Sequence, residues 1–230
     1  MQKDQWHLTE NDFFRGLPDE KEEFLSLSKK MYVTKNEFIF YEGDPGDACY
    51  YLEAGVIKIF RSTGIGKEPI LMVRKAGEMF GLAEVIEGRE RKATAQAMLP
   101  CLLHKISKSE FEKLASRHYK IAKRLISVLG RRLRYLCEQV ENLMVCDVRK
   151  RVLKVLYYIG YQYIIDSKSL DKPITFPLGF TQEHFAAMIG STQQTISETF
   201  KELKLKGLIE ISNKEITFLK PTEILRRIEE

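Results

Sequence analysis

The chain has 230 residues, of which 44% are hydrophobic and 30% charged, a composition typical of a folded globular protein and not of a disordered one. Its net charge of +5 divides into +3 for residues 1–146 and +2 for residues 147–230, so neither half is strongly basic. The polar first residues argue against a signal peptide, and no apolar run reaches the roughly 18 residues of a membrane-spanning helix, so a cytoplasmic protein without a membrane partner is expected.

A polar, helix-like start over residues 1–30 gives way to a region of short strands. Segments with strand-like composition alternate with turns rich in glycine and aspartate; the segments lie at residues 37–41, 49–52, 56–60, 69–73 and 101–106. Many short strands at this spacing predict a β-barrel or jelly roll. Enzymes built on similar barrels gather histidine and glutamate metal ligands on neighbouring strands, but only His104 lies on a predicted strand. Neither an enzyme nor a metal site is therefore expected.

Residues 107–146 are predicted to be helical, and their second part carries an apolar repeat. From Ala122 onward, apolar residues recur at alternating steps of four and three, which is a heptad pattern. β-Branched residues in one register and leucines in the other favour a parallel two-stranded coiled coil, and hence a homodimer. The predicted interface contains Ile126, Leu129, Leu133, Leu136, Val140 and Leu143. The alternative is a helix that packs only on its own domain.

Residues 181–203 contain two short helical repeats separated by a glycine. Gly190 ends the first helix, because glycine enters a left-handed turn at little cost, and Ser191 or Thr192 is suited to cap the second. This pattern predicts a helix-turn-helix. The polar face of the second helix presents groups that can read base edges or contact phosphate, which favours DNA binding over an ordinary solvated helical hairpin.

Residues 207–218 follow the helix-turn-helix and alternate between apolar and polar side chains. The alternation predicts two short strands joined by a turn at residues 212–214. A hairpin in this place is typical of the β-wing of a winged helix, and residues 221–228 are predicted to form one last helix.

Several motifs resemble those of one known family. Residues 40–55 look like the first β-hairpin of its sensor domain, residues 77–81 followed by 91–95 are similar to the phosphate-binding cassette of cyclic-nucleotide domains, and residues 131–143 with Asp147 look like its dimer helix and hinge. Together with the order of barrel, long helix and winged helix, they resemble the Crp/Fnr superfamily of bacterial transcription regulators over nearly the whole chain.

The resemblance implies an α+β fold with three parts. An N-terminal double-stranded β-helix, or jelly-roll, sensor domain is expected over residues 1–118. A dimerisation helix is expected over residues 119–146 and a winged helix-turn-helix DNA-binding domain over residues 147–230, with Asp147 as the hinge between them.

The resemblance also implies a sensing site in the barrel. Cyclic-nucleotide domains place a short helix and an arginine on the cyclic phosphate, and these parts fall to Gly81 and Arg91. The glutamate that usually follows the glycine and holds the ribose is Leu82 here, and the nearest carboxylate is Glu84. The hydroxyl residue that usually follows the arginine is Lys92. The polar pair of the dimer helix falls at Leu136 and Cys137.

These departures predict an effector other than cyclic AMP. Leu82 cannot accept hydrogen bonds from ribose hydroxyls, and an unpaired buried polar group costs roughly 1–3 kcal/mol. Arg91 and Lys92 suit another anion, such as a carboxylate or an aromatic acid. The alternative is that Arg89, Arg91 and Lys92 form a solvated loop, in which case the regulator is effector-independent or responds to thiol redox and its nucleotide pocket is vestigial.

Other sensing chemistries follow from cysteine and histidine. The oxygen sensors of the superfamily bind an iron–sulfur cluster through N-terminal cysteines, and no cysteine precedes Cys49, so a cluster is not expected. His104 and His118 are candidates for a haem ligand, but a lone histidine is more often structural, so haem is not expected either. Cys137 lies beside the predicted dimer seam; an inert buried thiol is the favoured interpretation and a redox switch the alternative.

The match to the family also assigns roles on the second helix of the helix-turn-helix. Base contacts are expected from Gln193, Gln194, Ser197 and Glu198, and phosphate contacts from Thr192, Thr195 and Lys201. Relatives usually place an arginine among the base-contacting positions. The expected partners are therefore a second copy of the chain, RNA polymerase, and a palindromic operator whose half-sites differ from the usual TGTGA or TTGAT.

Overall fold

A computed structural model describes residues 12–64, 66–165 and 170–229. Within it the chain divides into two compact units, one of residues 10–132 and one that contains residues 133–230, and the long helix contributes to both. The predicted division at residues 118 and 146 stays a prediction. The predicted start of the first helical region, residues 1–11, lies outside the described residues.

The first unit contains a β-structure with helices packed against it. Its elements are α1 (Pro18–Leu27), β1 (Lys29–Val33), β2 (Phe38–Phe40), β3 (Ala48–Ala54), β4 (Val56–Phe60), β5 (Ile70–Lys75), β6 (Met79–Phe80), α2 (Leu82–Glu87), β7 (Thr94–Ala97), β8 (Cys101–Ser107), α3 (Lys108–Arg117) and the first half of α4 (Tyr119–Val145). The strands form two antiparallel sheets, in the orders β1-β8-β3-β6 and β2-β7-β4-β5.

Strand β3 separates two hydrophobic clusters. Successive side chains of a strand point to opposite faces of the sheet, so Cys49 and Tyr51 join one cluster while Tyr50 and Leu52 join the other. Apolar residues of α1, α2, α3 and α4 complete the first cluster, and residues of β2, β4, β7 and β8 complete the second. Burial on both faces explains why residues 48–52 are all buried and why this strand lacks polar alternation.

Three strands of this unit were absent from the sequence-based prediction. Strand β1 begins at Lys29, inside the region predicted to be helical, and pairs with β8. Strand β6 has only two residues, and the apolar residues of β7 (Thr94–Ala97) are alanines, which have low β-propensity. Both are strands because they complete the hydrogen bonding of β3, β2 and β4.

The second unit is a winged helix that begins with the end of α4. It contains α5 (Val148–Ile165), β9 (Ile174–Pro177), α6 (Gln182–Ile189), α7 (Gln193–Leu205), β10 (Ile209–Ser212), β11 (Glu215–Phe218) and α8 (Pro221–Glu229). The strands form one antiparallel sheet in the order β10-β11-β9. Among the described residues, no helix is both long and apolar enough to cross a membrane.

Two residues connect the long helix to the helices of the second unit. Helix α4 ends at Val145, and α5 begins at Val148. The Asp147 carboxylate accepts a 2.8 Å hydrogen bond from the backbone N–H of Lys150 and so caps the start of α5. Asp147, the residue predicted as the hinge, lies between these two helices.

Candidate nucleic-acid interface and sensing site

The two helices of the helix-turn-helix are defined by caps at both ends. The Thr181 hydroxyl accepts from the backbone N–H of His184, and the His184 ring accepts in return from the Thr181 N–H, each at 3.2 Å. Helix α6 ends at Gly190, whose φ of 66° is the left-handed conformation that glycine adopts most easily. The Thr192 hydroxyl then accepts from the N–H of Thr195 at 3.1 Å and caps α7.

Helix α7 has one face in the core and one face in solvent. The apolar residues that hold the motif together are all buried: Phe185, Ala186, Ile189, Ile196 and Phe200. The residues predicted to contact bases are all exposed, as are Thr192 and Lys201, while Thr195 is half-buried. The structure therefore places the whole predicted DNA-reading set on one accessible surface.

Two hydrogen bonds organise this surface. The Gln194 amide donates to the Glu198 carboxylate at 3.1 Å, one helical turn later. The Thr192 and Thr195 hydroxyls lie 2.8 Å apart at the start of the helix. An amide whose N–H group is engaged still offers its carbonyl oxygen and a second N–H to a base edge, so the pair can act as one recognition unit.

A concave surface runs alongside α7 toward the wing. It encloses about 610 Å³. Its lining includes Ser197, Lys201 and Lys204 from α7, Thr181 and Gln182 at the start of α6, and Ile211 from the wing. Cationic and hydroxyl groups on a concave surface beside a recognition helix are suited to a phosphate backbone.

The wing is a hairpin with a two-residue loop. Asn213 and Lys214 connect β10 to β11 and have φ values of 49° and 64°, as a type I′ turn requires. The loop exposes the Lys214 side chain. The turn was predicted from the sequence, but no DNA contact was predicted for Lys214 or Lys204. Lys204 follows Lys201 by three residues and so shares its helix face, which is the signal that could have indicated it.

Arg91 is the central residue of the predicted sensing site. Its side chain is buried, with the residue only 2% exposed, and its guanidinium donates to the backbone carbonyls of Gly81, at 3.0 Å, and Ala48. The Glu84 carboxylate lies 3.4 Å from Nη1, and the Phe40 ring centre lies 4.3 Å from the guanidinium carbon. The guanidinium Nε has no acceptor among the described residues. Arg91 is therefore an internal residue of the sensor unit and not a solvated loop residue.

Gly81 and Leu82 connect this arginine to the core. Gly81 has a φ of 69°, a backbone conformation that favours glycine, and a Cβ atom there would lie 2.9 Å from Nη1 of Arg91, so the guanidinium would have to shift. Leu82 is buried in the cluster that contains Val85 and Cys49. The structure thus brings Gly81, Glu84 and Arg91 together and directs Leu82 into the hydrophobic core.

The other predicted members of the sensing site are placed differently. Lys92 is exposed to solvent. Leu136 is half-buried and Cys137 exposed on the second half of α4, which belongs to the other unit. The expected burial of the Cys137 thiol is therefore wrong, because this position of the helix faces solvent in the single chain. Their assignment to an effector stays a prediction.

The histidines and the buried thiols have structural surroundings. His104 Nε2 lies 2.6 Å from the Glu53 carboxylate, and His118 Nε2 lies 2.6 Å from that of Glu23. Burial raises the pKa of the Cys49 and Cys101 thiols, which keeps both in the less reactive protonated form. Within the described residues, no group of three or more His, Cys, Asp or Glu side chains is arranged to hold a metal ion.

Helix α4 carries an apolar stripe that the described residues leave exposed. Ile126, Leu133, Val140 and Leu143 are 71%, 63%, 56% and 56% exposed, respectively, and recur at heptad spacing. Leu129 and Leu136, the other predicted interface residues, are half-buried. We call the four exposed residues the α4 stripe.

Two families match successive parts of the chain. The family described as cyclic nucleotide-binding domain matches residues 30–118, and the one described as Crp-like helix-turn-helix domain matches residues 150–227. The chain belongs to the Crp/Fnr superfamily of transcription regulators. As a member of this superfamily it is a DNA-binding regulator, and the superfamily is not an enzyme family, as the sequence predicted.

Relatives of this Crp/Fnr regulator match along most of its length. The "CRP-like cAMP-activated global transcriptional regulator" of Mycobacterium tuberculosis is 24% identical over 223 residues, which cover 96% of this chain and 97% of the relative. The "Cyclic AMP receptor protein" of Thermus thermophilus is 28% identical over 200 residues, covering 86% and 88%. Among solved structures, a CooA mutant from Carboxydothermus hydrogenoformans has a TM-score of 0.78 at 21% identity, covering 96% of this chain and 97% of that one. This likeness confirms the predicted fold.

Proposed function

We propose that this regulator acts as a homodimer on a palindromic operator and that a small effector other than cyclic AMP, bound in the sensor barrel, controls it. The α4 stripe is the observation that carries the proposal, because it supplies a self-complementary surface on the element that joins sensor and DNA-reading units. RNA polymerase is the further partner that a promoter-bound regulator of this superfamily is expected to contact.

The α4 stripe supports a parallel dimer. Four large apolar side chains at heptad spacing lie in water in the single chain. A second copy of α4 would bury them against each other, each fully buried side chain contributing about 1.5–3 kcal/mol. β-Branched Ile126 and Val140 share one register, as parallel two-stranded coiled coils prefer.

A dimer of this kind determines the form of the operator. Two copies of α7 related by a two-fold axis read two half-sites about 34–36 Å apart, which requires a palindrome. The exposed face of α7 offers Gln194 paired with Glu198 in place of the arginine that relatives usually carry. Gln194 suits adenine, and Glu198 can accept from cytosine N4, so the half-site differs from TGTGA and TTGAT.

Selection of binding sites from random DNA with the purified protein tests this part of the proposal. We expect recovery of a palindromic sequence whose half-site lacks an unaltered TGTGA or TTGAT core. Recovery of either core would contradict the assigned readout. Recovery of a single, non-repeated half-site would contradict the dimer.

The sensing site supports an effector other than cyclic AMP, although several relatives are named as cAMP-activated. Leu82, which takes the place of the ribose-binding glutamate, is a core residue. Glu84 already lies beside the Arg91 guanidinium. A cyclic phosphate would have to compete with the Glu84 carboxylate and would find no acceptor at Leu82 for its ribose hydroxyls.

A thermal-shift screen against cyclic nucleotides and small organic acids tests the effector. A ligand at about 100 times its Kd adds roughly 2.7 kcal/mol to the folded state. We expect a shift with an organic acid and none with cyclic AMP. The shift should weaken in Arg91→Ala, but because Arg91 is buried, this change also disturbs the core. Lys92 is exposed, so Lys92→Ala leaves the core intact and should weaken the shift as well. A clear shift with cyclic AMP would contradict the proposal.

One observation favours a second candidate, a regulator that needs no effector. The Arg91 guanidinium is already bonded to the carbonyls of Gly81 and Ala48 and paired with Glu84. A site whose cation is neutralised from within the chain gains less from an external anion. Full operator affinity of the purified protein, unchanged by every acid of the screen and by reductant, would identify this second candidate.

Gating requires that the effector bind the DNA-competent arrangement more tightly than the other. Asp147 is the proposed hinge, since it caps α5 directly after α4 ends. Effector binding at the barrel shifts the balance between two orientations of the winged helix about this residue, and operator binding in turn strengthens effector binding by the same factor.

A further inference from the structure

A small cavity lies inside the second unit where three helices meet. It has a volume of about 40 Å³. Its walls come from the last turns of α4, the start of α5 and the end of α6: Gln139, Asn142, Leu143, Arg151, Met188 and Ile189. A water-sized sphere needs roughly 10–15 Å³ of such volume, so the cavity has room for a very small guest and not for a nucleotide or an aromatic acid.

Two of the lining side chains have a buried N–H donor that finds no acceptor in the part of the chain that the structure describes. Asn142 is only 2% exposed, and its Nδ2 has no acceptor among the described residues. The Nε of Arg151 is buried and likewise has no acceptor among them. Each buried donor left unpaired costs about 1–3 kcal/mol, so two in one cavity demand an explanation.

Other hydrogen bonds hold both side chains in place. The Asn142 Oδ1 accepts from the Lys154 ammonium at 2.5 Å and from the Cys146 thiol at 3.7 Å, which assigns the oxygen to that side and leaves Nδ2 as the unpaired group. Arg151 Nη1 donates to the Cys146 carbonyl at 3.2 Å. The two donors are therefore fixed by the fold of α4 and α5 and are not free to turn outward.

The charges around the cavity determine which kind of ligand it can bind. Among the six lining residues, Arg151 is the one that carries a charge, and none is a carboxylate. The Lys154 ammonium, which donates to the Asn142 oxygen, places a second positive charge nearby. Two fixed donors need an acceptor, and the positive charges of Arg151 and the nearby Lys154 favour one that carries negative charge. We infer that this cavity binds a small monovalent inorganic anion, with chloride as the natural ligand.

The anion would connect the helices that gating moves. It bridges Asn142 on α4 to Arg151 on α5, on the two sides of Asp147, and it lies against Met188 and Ile189, which precede the turn at Gly190. An occupied site therefore stabilises one arrangement of the α4 end against the helix-turn-helix. This inference depends on contacts within the second unit and not on the identity of any effector in the barrel.

Thermal unfolding of the full-length protein at constant ionic strength tests the inference in solution. Sodium gluconate, whose anion is too large for the cavity, is replaced stepwise by sodium chloride, so that the cation and the ionic strength stay constant while the anion changes. We expect the midpoint temperature to rise saturably by roughly 2–4 °C with chloride. Asn142→Asp should abolish this rise, because the new carboxylate supplies the acceptor and the negative charge itself. Arg149→Met, which alters an exposed arginine of the same helix that pairs with Glu202, should keep it.

Crystals of the wild-type protein grown in sodium bromide give a second, direct measurement. We expect an anomalous bromide peak within hydrogen-bonding distance of Asn142 Nδ2 and Arg151 Nε. A water molecule with no anomalous signal at that position would overturn the inference. So would a midpoint temperature that is the same in chloride and gluconate, or a chloride response that Asn142→Asp retains in full.

Discussion

Gln194 and Lys201 lie on the same face of α7, but their side chains are suited to different contacts with DNA. Gln194 is tied to Glu198 by a hydrogen bond and sits in the first turn, where side chains reach base edges. Lys201 lies two turns later, on the concave surface toward the wing. An amide reads hydrogen-bond patterns, whereas an ammonium group contacts phosphate without regard to sequence.

Alanine variants of the two residues should therefore fail in different ways. For Gln194→Ala we expect a loss of about 1–3 kcal/mol on the selected operator, confined to one base pair of each half-site, with the salt dependence unchanged. For Lys201→Ala we expect equal weakening on specific and random DNA and a slope of log K against log salt that falls by about 0.9 for each lost phosphate contact. Fluorescence anisotropy titrations at several salt concentrations measure both quantities.

The reverse pattern would show that the roles are assigned wrongly. Lys172→Ala is a suitable control, since Lys172 is an exposed lysine of the same unit in the segment before β9, outside α7 and the groove. Its substitution should leave the base preference intact.

Residue identity predicted the exposed face of α7 well and the surroundings of the predicted sensing site only in part. The exposed positions of α7 follow from helical periodicity, which is local in sequence. The environment of Arg91 depends on the Ala48 carbonyl, 43 residues away, and on the Glu84 carboxylate, and no local pattern reports such contacts. For the same reason the burial of Leu82 in the core was not foreseen, although its apolar character was the reason for questioning cyclic AMP.

At the scale of elements, the turn between α6 and α7 depends on one backbone conformation. Gly190 has a φ of 66°, and a Cβ atom added there would meet nothing nearer than a Leu143 methyl group at 4.0 Å. Space is thus available, and any cost of a side chain comes from the left-handed backbone alone.

Gly190→Ala should lower the free energy of unfolding by roughly 1–2 kcal/mol. Urea unfolding followed by circular dichroism measures the change. Gly179→Ala is the matched control, because Gly179 lies outside the left-handed region and has no atom within 4 Å of the added Cβ. Equal stability of the two variants would mean that the turn does not need its glycine.

Elements with strong local patterns were predicted correctly, and those defined by their partners were not. The heptad repeat predicted α4, and the capping residues with Gly190 predicted α6 and α7; the ends of these helices agree with the prediction to within a residue or two. Strands β6 and β7 have too few apolar residues to be recognised alone, and they become strands through pairing with β3, β2 and β4. Strand β1 was hidden by the lysine-rich composition that made its first residues look helical.

At the scale of the whole molecule, the proposed dimer makes the two ends of the chain interdependent. The α4 stripe extends from Ile126 in the first unit to Leu143 in the second.

Cys137, directly after Leu136, falls beside the seam in this heptad and not in it, so residues at this position of two parallel helices do not face each other. This geometry disfavours a disulfide between subunits as the controlling event.

Leu133→Glu should separate the dimer and weaken operator binding together. Leu133 is 63% exposed in the single chain, so glutamate costs little in the monomer, but two carboxylates at the same level of the seam repel each other in the dimer. We expect sedimentation velocity at micromolar concentration to give the mass of two chains for the wild type and of one for the variant. A monomer binds one half-site at a time, so its apparent operator affinity should fall by about 10²–10⁴-fold. Ser127→Glu places the same charge on an exposed position outside the stripe and should change neither mass nor affinity. If Leu133→Glu stays dimeric, the α4 stripe is not the interface; if it becomes monomeric with full operator affinity, dimerisation is not what organises DNA reading.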